Sequence, residues 1–205
     1  MLLSTAYFPP LEWFALAARG GKAVQLEACE NYRKQSWRNR CHILASDGVQ
    51  MLQVPVIHGH GTAITEIRVD YSTPWLLRTQ RALDTAYLGA AFYEHYRDSL
   101  FPLMELRPET LWDWNHSLLE WCLEKTGIET KLIPTDGFAL PGSVPDDYRY
   151  AIDPKKENDI LRQLGLERPY YQVFRDKMGV FVPGLSILDL LFNEGPDSIL
   201  WLKRL

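Results

Sequence analysis

Apolar and polar positions divide the chain into stretches of different character. Leu2 to Tyr7 is an apolar run of strand length, and Phe8-Pro9-Pro10 then turns the chain. Leu11, Phe14 and Ala18 recur at helical spacing as far as Arg19, behind a proline of the kind a first helical turn tolerates. Gly20-Gly21 stops that helix, and Lys22 to Ala28 predicts a second strand. Strand, helix and strand in this order make a β-α-β unit, the minimal parallel crossover. Cys41 to Asp47 and Val49 to Ile57 are β-rich and meet at Asp47-Gly48, a strong hairpin signal. Ile64 to Asp70 sets Ile64, Ile67 and Val69 among polar residues, which suggests one more strand.

The period then changes. Behind Pro74, the residues Leu76, Leu83, Tyr87 and Ala90 fall at helical spacing, and behind Pro108 so do Leu111, Trp114, Leu118 and Cys122, with Gly127 placed to end the second helix. Pro134 to Pro169 is rich in proline, glycine and charge and reads as loops, with a short polar helix starting at Pro154-Lys155-Lys156-Glu157. Tyr170 to Phe174 and Gly179 to Pro183 are strand candidates. Ser186 caps a short helix through Leu191 that is apolar nearly all round, and therefore buried, with Asp189 at a capping-box position and Gly195 beyond its end. The pattern as a whole predicts an α/β fold: an N-terminal β-α-β unit with a mixed sheet, followed by a helical half. One domain over residues 1–205 is expected, β-rich in 1–73, helical in 74–128 and loop-rich in 129–205.

Composition narrows the class. The 205 residues are 46% hydrophobic and 23% charged, in the ordinary globular range. A formal net charge of −4 argues against a nucleic-acid partner. The opening Met1-Leu2-Leu3-Ser4 has no basic residue, and its apolar run is broken by Pro9, Pro10 and Glu12, so no secretory leader is expected there. No later segment approaches the ~18 unbroken apolar residues of a membrane span. A cytoplasmic protein is expected, and the three cysteines Cys29, Cys41 and Cys122, with no CxxC pair, suit a reducing compartment.

The densest polar cluster, Asn31 to Arg40, follows the second strand directly. In an open α/β sheet, ligands bind beyond the carboxyl ends of parallel strands, so a site is expected at that edge. Arg33, Lys34, Arg38 and Arg40 are cations with no acid among them, set beside Tyr32 and Trp37, a mixture suited to a phosphate or carboxylate next to a ring or sugar face. From this cluster and the first strand-to-helix corner, the candidate substrate-binding residues are Tyr7, Asn31, Arg33, Lys34, Trp37, Asn39 and Arg40. Arg33, Lys34 and Arg40 would hold the anion, Trp37 and Tyr7 would stack, and Asn31 and Asn39 would position polar groups. A solvated basic turn is the alternative. Cys29 and Cys41 flank the cluster, but a small buried thiol is the commoner role. His58-Gly59-His60-Gly61 places two imidazoles two residues apart, without an identifiable third metal ligand, and reads as a glycine-rich connection. Asp146-Asp147 and Lys155-Lys156 read as solvated charges. No dinucleotide, phosphate-loop or nucleophile-elbow motif occurs, so no cofactor is assigned.

The string Tyr7-Phe8-Pro9-Pro10-Leu11-Glu12-Trp13-Phe14, followed by Glu30 to Arg40, resembles the opening signature of the WbqC-like family of bacterial surface-polysaccharide (O-antigen) clusters. Leu52 to Val56, Trp75 to Tyr96, and Ser186 to Gly195 match further, so the likeness spans nearly the whole chain; Leu11 and Trp13 depart from the family string conservatively. The resemblance implies a role in polysaccharide biosynthesis. For some members the role proposed is the transfer of glycine or a similar small acyl group to a sugar, which implies a sugar nucleotide or acyl donor as small-molecule partner. It carries over no catalytic residue. A non-catalytic binding or assembly protein of the same pathway is the competing expectation. A nucleotidylyltransferase-like fold is a third, and Glu12 and Trp13 stand where that class would carry histidines.

Overall fold

A computed structural model of the protein describes residues 1–57 and 61–203. The first three elements are β1 (Leu2–Ser4), α1 (Leu11–Arg19) and β2 (Ala23–Glu27). β1 pairs parallel with β2 in the register Leu2↔Gln25 to Ser4↔Glu27, so the β-α-β unit is present, with α1 within the bounds its apolar spacing gives. Phe14, Ala15, Leu16 and Ala17 of α1 are buried. Gly20 ends the helix where a Cβ would run into the Val24 side chain. The corner between β1 and α1 is tight: Phe8 is buried at φ +41°, a left-handed conformation that bulky residues rarely adopt.

Cys41 to Asp47 and Val49 to Ile57 form β3 (Arg40–Ala45) and β4 (Gly48–Gln53), a hairpin in which Ala45 pairs with Gly48. The tip is therefore Ser46-Asp47, one residue before the expected turn, and Gly48 takes φ +127°. Pro55, without an N–H, follows the ladder, and Val56–Ile57 (β5) turns away to pair with Arg68–Val69 (β6). The strand expected at Ile64 to Asp70 is thus a single 3-10 turn, Ile64–Glu66, followed by a two-residue strand.

The helical stretch behind Pro74 is two helices, α2 (Trp75–Tyr87) and α3 (Tyr93–Glu105). The Phe92 N–H leaves the helical pattern there to donate to the Phe192 carbonyl at 2.9 Å. α4 (Leu111–Thr126) starts at Thr110, whose hydroxyl accepts the Asp113 N–H at 3.0 Å, and ends at Gly127, φ +69°. A strand that the apolar pattern does not show follows: β7 (Lys131–Pro134) lies parallel to β2 and completes a sheet ordered β1-β2-β7. Leu132 is half-buried while its neighbours in β7, Ile133 among them, are exposed, so the strand's place in the sheet rests on its backbone pairing more than on burial.

The C-terminal part holds α5 (Ile160–Gln163), α6 (Arg175–Met178), α7 (Ile187–Glu194) and α8 (Ser198–Leu202). The helix expected from Pro154 begins later, at Ile160. Neither Tyr170 to Phe174 nor Gly179 to Pro183 is a strand. Instead, the Gln172 side chain imitates strand pairing, its amide donating to the Val182 carbonyl and its oxygen accepting the Val182 N–H, both at 2.9 Å. α7 is buried nearly all round, as its composition predicts, and packs against α1, α3, α4 and β3. Ser186 caps it by accepting the Leu188 N–H at 3.2 Å. Asp189 does not complete a capping box: its carboxylate turns into the core. No helix of the described residues is long and apolar enough to cross a membrane.

Candidate functional site

The strained Tyr7-to-Pro10 corner sets Pro10, Leu11 and Glu12, the first turn of α1, on the wall of a cleft of about 460 Å³. Trp37 and the β3 residue His42 line it from the sheet side, and Tyr170, Phe181 and the 152–168 segment from the C-terminal part. α1 is otherwise apolar at its start, so Glu12 is the one acid of the first turn, and it is half-buried. Burial raises its carboxyl pKa, and its Oε2 is buried without a hydrogen-bond partner. The His42 ring meets the edge of Trp37 at 4.9 Å, and burial, with the Arg40 charge behind it, lowers the imidazole pKa, favouring the neutral form. An acceptor, a neutral imidazole and a flat indole therefore share one cavity.

The cleft's cations are mostly occupied. Arg162 pairs with Glu167 at 3.2 Å, and Arg168 stacks over Trp201 at 4.7 Å while donating to the Leu200 carbonyl. Asp153, at the rim, takes Arg33 at 3.5 Å. Lys156, which reads as a solvated charge in sequence, lines the cleft.

The expected site residues divide into groups. Trp37 lines the cleft, Arg33 reaches its rim through Asp153, and Arg40 acts on His42 while its own Nε donates to Gln53 at 3.1 Å. Tyr7 is fully buried against Phe8, its N–H donating to the Trp37 carbonyl at 2.8 Å, and Asn39 is buried with its amide on the Val54 carbonyl at 2.9 Å. Both hold the corner and the hairpin together and do not face the cleft. Asn31 and Lys34 are exposed; Asn31 bridges to Ala63. Arg38 is buried in a bidentate pair with Glu30, at 2.7 and 2.6 Å. Glu12, His42 and Tyr170 carry no motif. An acid in the first turn of an otherwise apolar helix is the single sequence signal that could have marked one of them.

The carboxyl end of β2 holds a second polar group, fully paired. Buried Glu27 takes Arg149 at 2.5 Å, the Thr135 hydroxyl at 2.9 Å and the Cys29 N–H at 2.9 Å. Arg149 also donates to both oxygens of Asp147, which is therefore no solvated charge. Its saturation marks it as a clasp tying the 136–150 segment to the sheet edge. Cys41 and Cys122 are buried with thiols pushed up by burial, which removes Cys41 as a nucleophile, while Cys29 is exposed. Among the described residues no three His, Cys, Asp or Glu side chains could hold a metal. His58 and His60 lie outside the described residues.

Comparison with known proteins adds three findings. A family model described as the WbqC-like protein family matches residues 5–165. The chain is 27% identical, over 96% of its length and 94% of the relative's, to Rv1507c, an uncharacterised protein of Mycobacterium tuberculosis. No solved structure matches it.

Proposed function

The chain belongs to the WbqC-like protein family, and from the chemistry of its cleft we propose that it transfers an acyl or aminoacyl group to a sugar precursor of bacterial surface polysaccharide. The observation that carries the reading is Glu12, a poorly hydrated carboxyl with a free buried oxygen, sharing a cavity with neutral His42 and the Trp37 ring. An indole face suits a sugar ring, and a cavity of this size suits a small ligand. Glu12 serves as general base. The sugar O–H bond breaks and its proton passes to Glu12, while the oxygen forms a bond to the acyl carbon. The bond from that carbon to the donor's activating group then breaks, its electron pair leaving with that group. His42, neutral at physiological pH, donates an N–H to the oxygen on which charge develops.

The test is incubation of purified protein with paired sugar nucleotides and thioester or aminoacyl donors, read by mass spectrometry. An acylated sugar that disappears in Glu12→Gln and in His42→Phe, both folded by circular dichroism, is the expected result. No product from any pair, with no thermal shift by any component, would overturn the reading. The second reading, a binding or assembly protein, draws on β4, which pairs on one side only among the described residues and exposes Val49 and Met51.

A further inference from the structure

Asp189 is a buried carboxylate that the proposed chemistry does not use. It sits on α7 at 1% exposure, and three donors from other elements converge on it. The Tyr87 hydroxyl of α2 donates to Oδ1 at 2.9 Å; the Tyr170 hydroxyl and the Gln172 amide donate to Oδ2 at 2.8 and 3.0 Å. The arrangement suits the ionised acid, which only accepts. A protonated carboxyl must itself donate, and the acceptors beside it are the two phenol oxygens, so the phenol that takes its hydrogen has to turn its own hydrogen away.

The surroundings decide which donor turns. Gln172 is fixed by its two bonds to the Val182 main chain. Tyr87 is enclosed by Tyr93 and Phe192, with ring centroids at 6.2 and 5.0 Å. Tyr170 is only 4% exposed, yet of the three it is the one that lines the cleft, edge-on to Phe181 at 5.1 Å and within electrostatic reach of Glu12. We propose that Asp189 is a positioning residue that sets the cleft's hydrogen-bonding character by pH: ionised, it holds the Tyr170 hydroxyl hydrogen inward, and protonated, it releases that hydrogen toward the ligand space. This regulation rests on the reading of the cleft as the functional site.

The groups facing Asp189 fix the direction of the switch. Desolvation raises its pKa to about 6, outweighing the lowering effect of Tyr170, Tyr87 and Gln172. Burial with Asp189 alongside raises both phenols, so each stays protonated and remains a donor. Glu12 of α1 adds its negative charge on the cleft side. Below the Asp189 pKa the cleft gains a donor; above it the donor is withdrawn.

The switch is read directly by nuclear magnetic resonance on protein labelled with ¹³C at the tyrosine Cζ and aspartate Cγ positions, titrated from about pH 4.5 to about pH 8. The Tyr170 signal, identified by its loss in Tyr170→Phe, should move with a single midpoint near that of the Asp189 carboxyl, and should be flat in Asp189→Asn. A Tyr170 signal that stays still while Asp189 titrates overturns the proposal, as does a shift confined to Tyr87 or an Asp189 midpoint near the ordinary carboxylate value. Should Asp189→Asn fail to fold, the wild-type midpoints and Tyr170→Phe still decide. The measurement reads protonation and not turnover, so it fails or succeeds independently of the transferase assay.

Discussion

Replacing Arg149 by alanine should be among the most damaging single changes in the molecule. Its side chain and that of Glu27 are both fully buried, joined at 2.5 Å. Removing the guanidinium strands a carboxylate at the carboxyl end of the central strand, with the Thr135 hydroxyl, the Cys29 N–H and a long contact from the Ala139 N–H left to it. Breaking a buried ion pair from one side costs about 3–5 kcal/mol, whereas removing both charges together is often nearly neutral. For a domain of this size each kcal/mol lowers Tm by about 2–4 °C, so Arg149→Ala should melt roughly 6–20 °C early. Glu27→Gln combined with Arg149→Met should recover most of that loss. Urea denaturation of the wild type, Glu27→Gln, Arg149→Met and the double variant gives the cycle, with Arg149→Ala run beside it. Acid adds a signature. Arg149 holds the Asp147 pKa below its ordinary value, a stabilisation present above about pH 4 and lost as pH falls through the folded value. The variant lacks that contribution, so its deficit should shrink in acid. An Arg149→Ala protein within about 1 kcal/mol of wild type, or a double variant no better than the single one, would refute the clasp.

Other changes probe the rest of the fold and site. Gly195 takes φ +58°, and a Cβ there would sit 2.5 Å from the Phe92 ring, so Gly195→Ala should lose about 2–4 kcal/mol in a urea titration. An aromatic disulfide reagent should titrate Cys29 alone in the native protein, with Cys41 and Cys122 reacting only in denaturant. Arg40→Gln should raise the His42 pKa toward 6.5 by removing the nearby positive charge; a proton titration of the imidazole that leaves the midpoint unmoved would show that burial alone sets it.

The N-terminal half was legible where its signals are local. β1, α1 and β2 follow one another along the chain, and glycine and proline mark their ends. β7 was not legible, because four residues with one half-buried side chain become a strand only by pairing with β2, far earlier in the sequence. The break between α2 and α3 was hidden for a similar reason: Phe92 leaves the helical pattern for a carbonyl on α7.

The candidate site shows the same limit in its charges. Sequence reading treats a run of cations without acids as available to a ligand, but within Asn31 to Arg40 the fold supplies acids to two of them. Arg38 finds Glu30 eight residues back and is sealed, while Arg33 finds Asp153 in a segment that reads as loop. The acids that neutralise the cluster lie outside the window in which it looks basic. Conversely, Asp147 reads as a solvent charge and proves to be part of the clasp. The groups with altered proton affinity, Glu12, His42 and Asp189, are set by burial, which depends on every element packed around them and leaves no local pattern. The hydrophobic pattern therefore forecasts which surfaces pack. The chemistry of the cleft arises where packing withdraws water from a few acids and an imidazole.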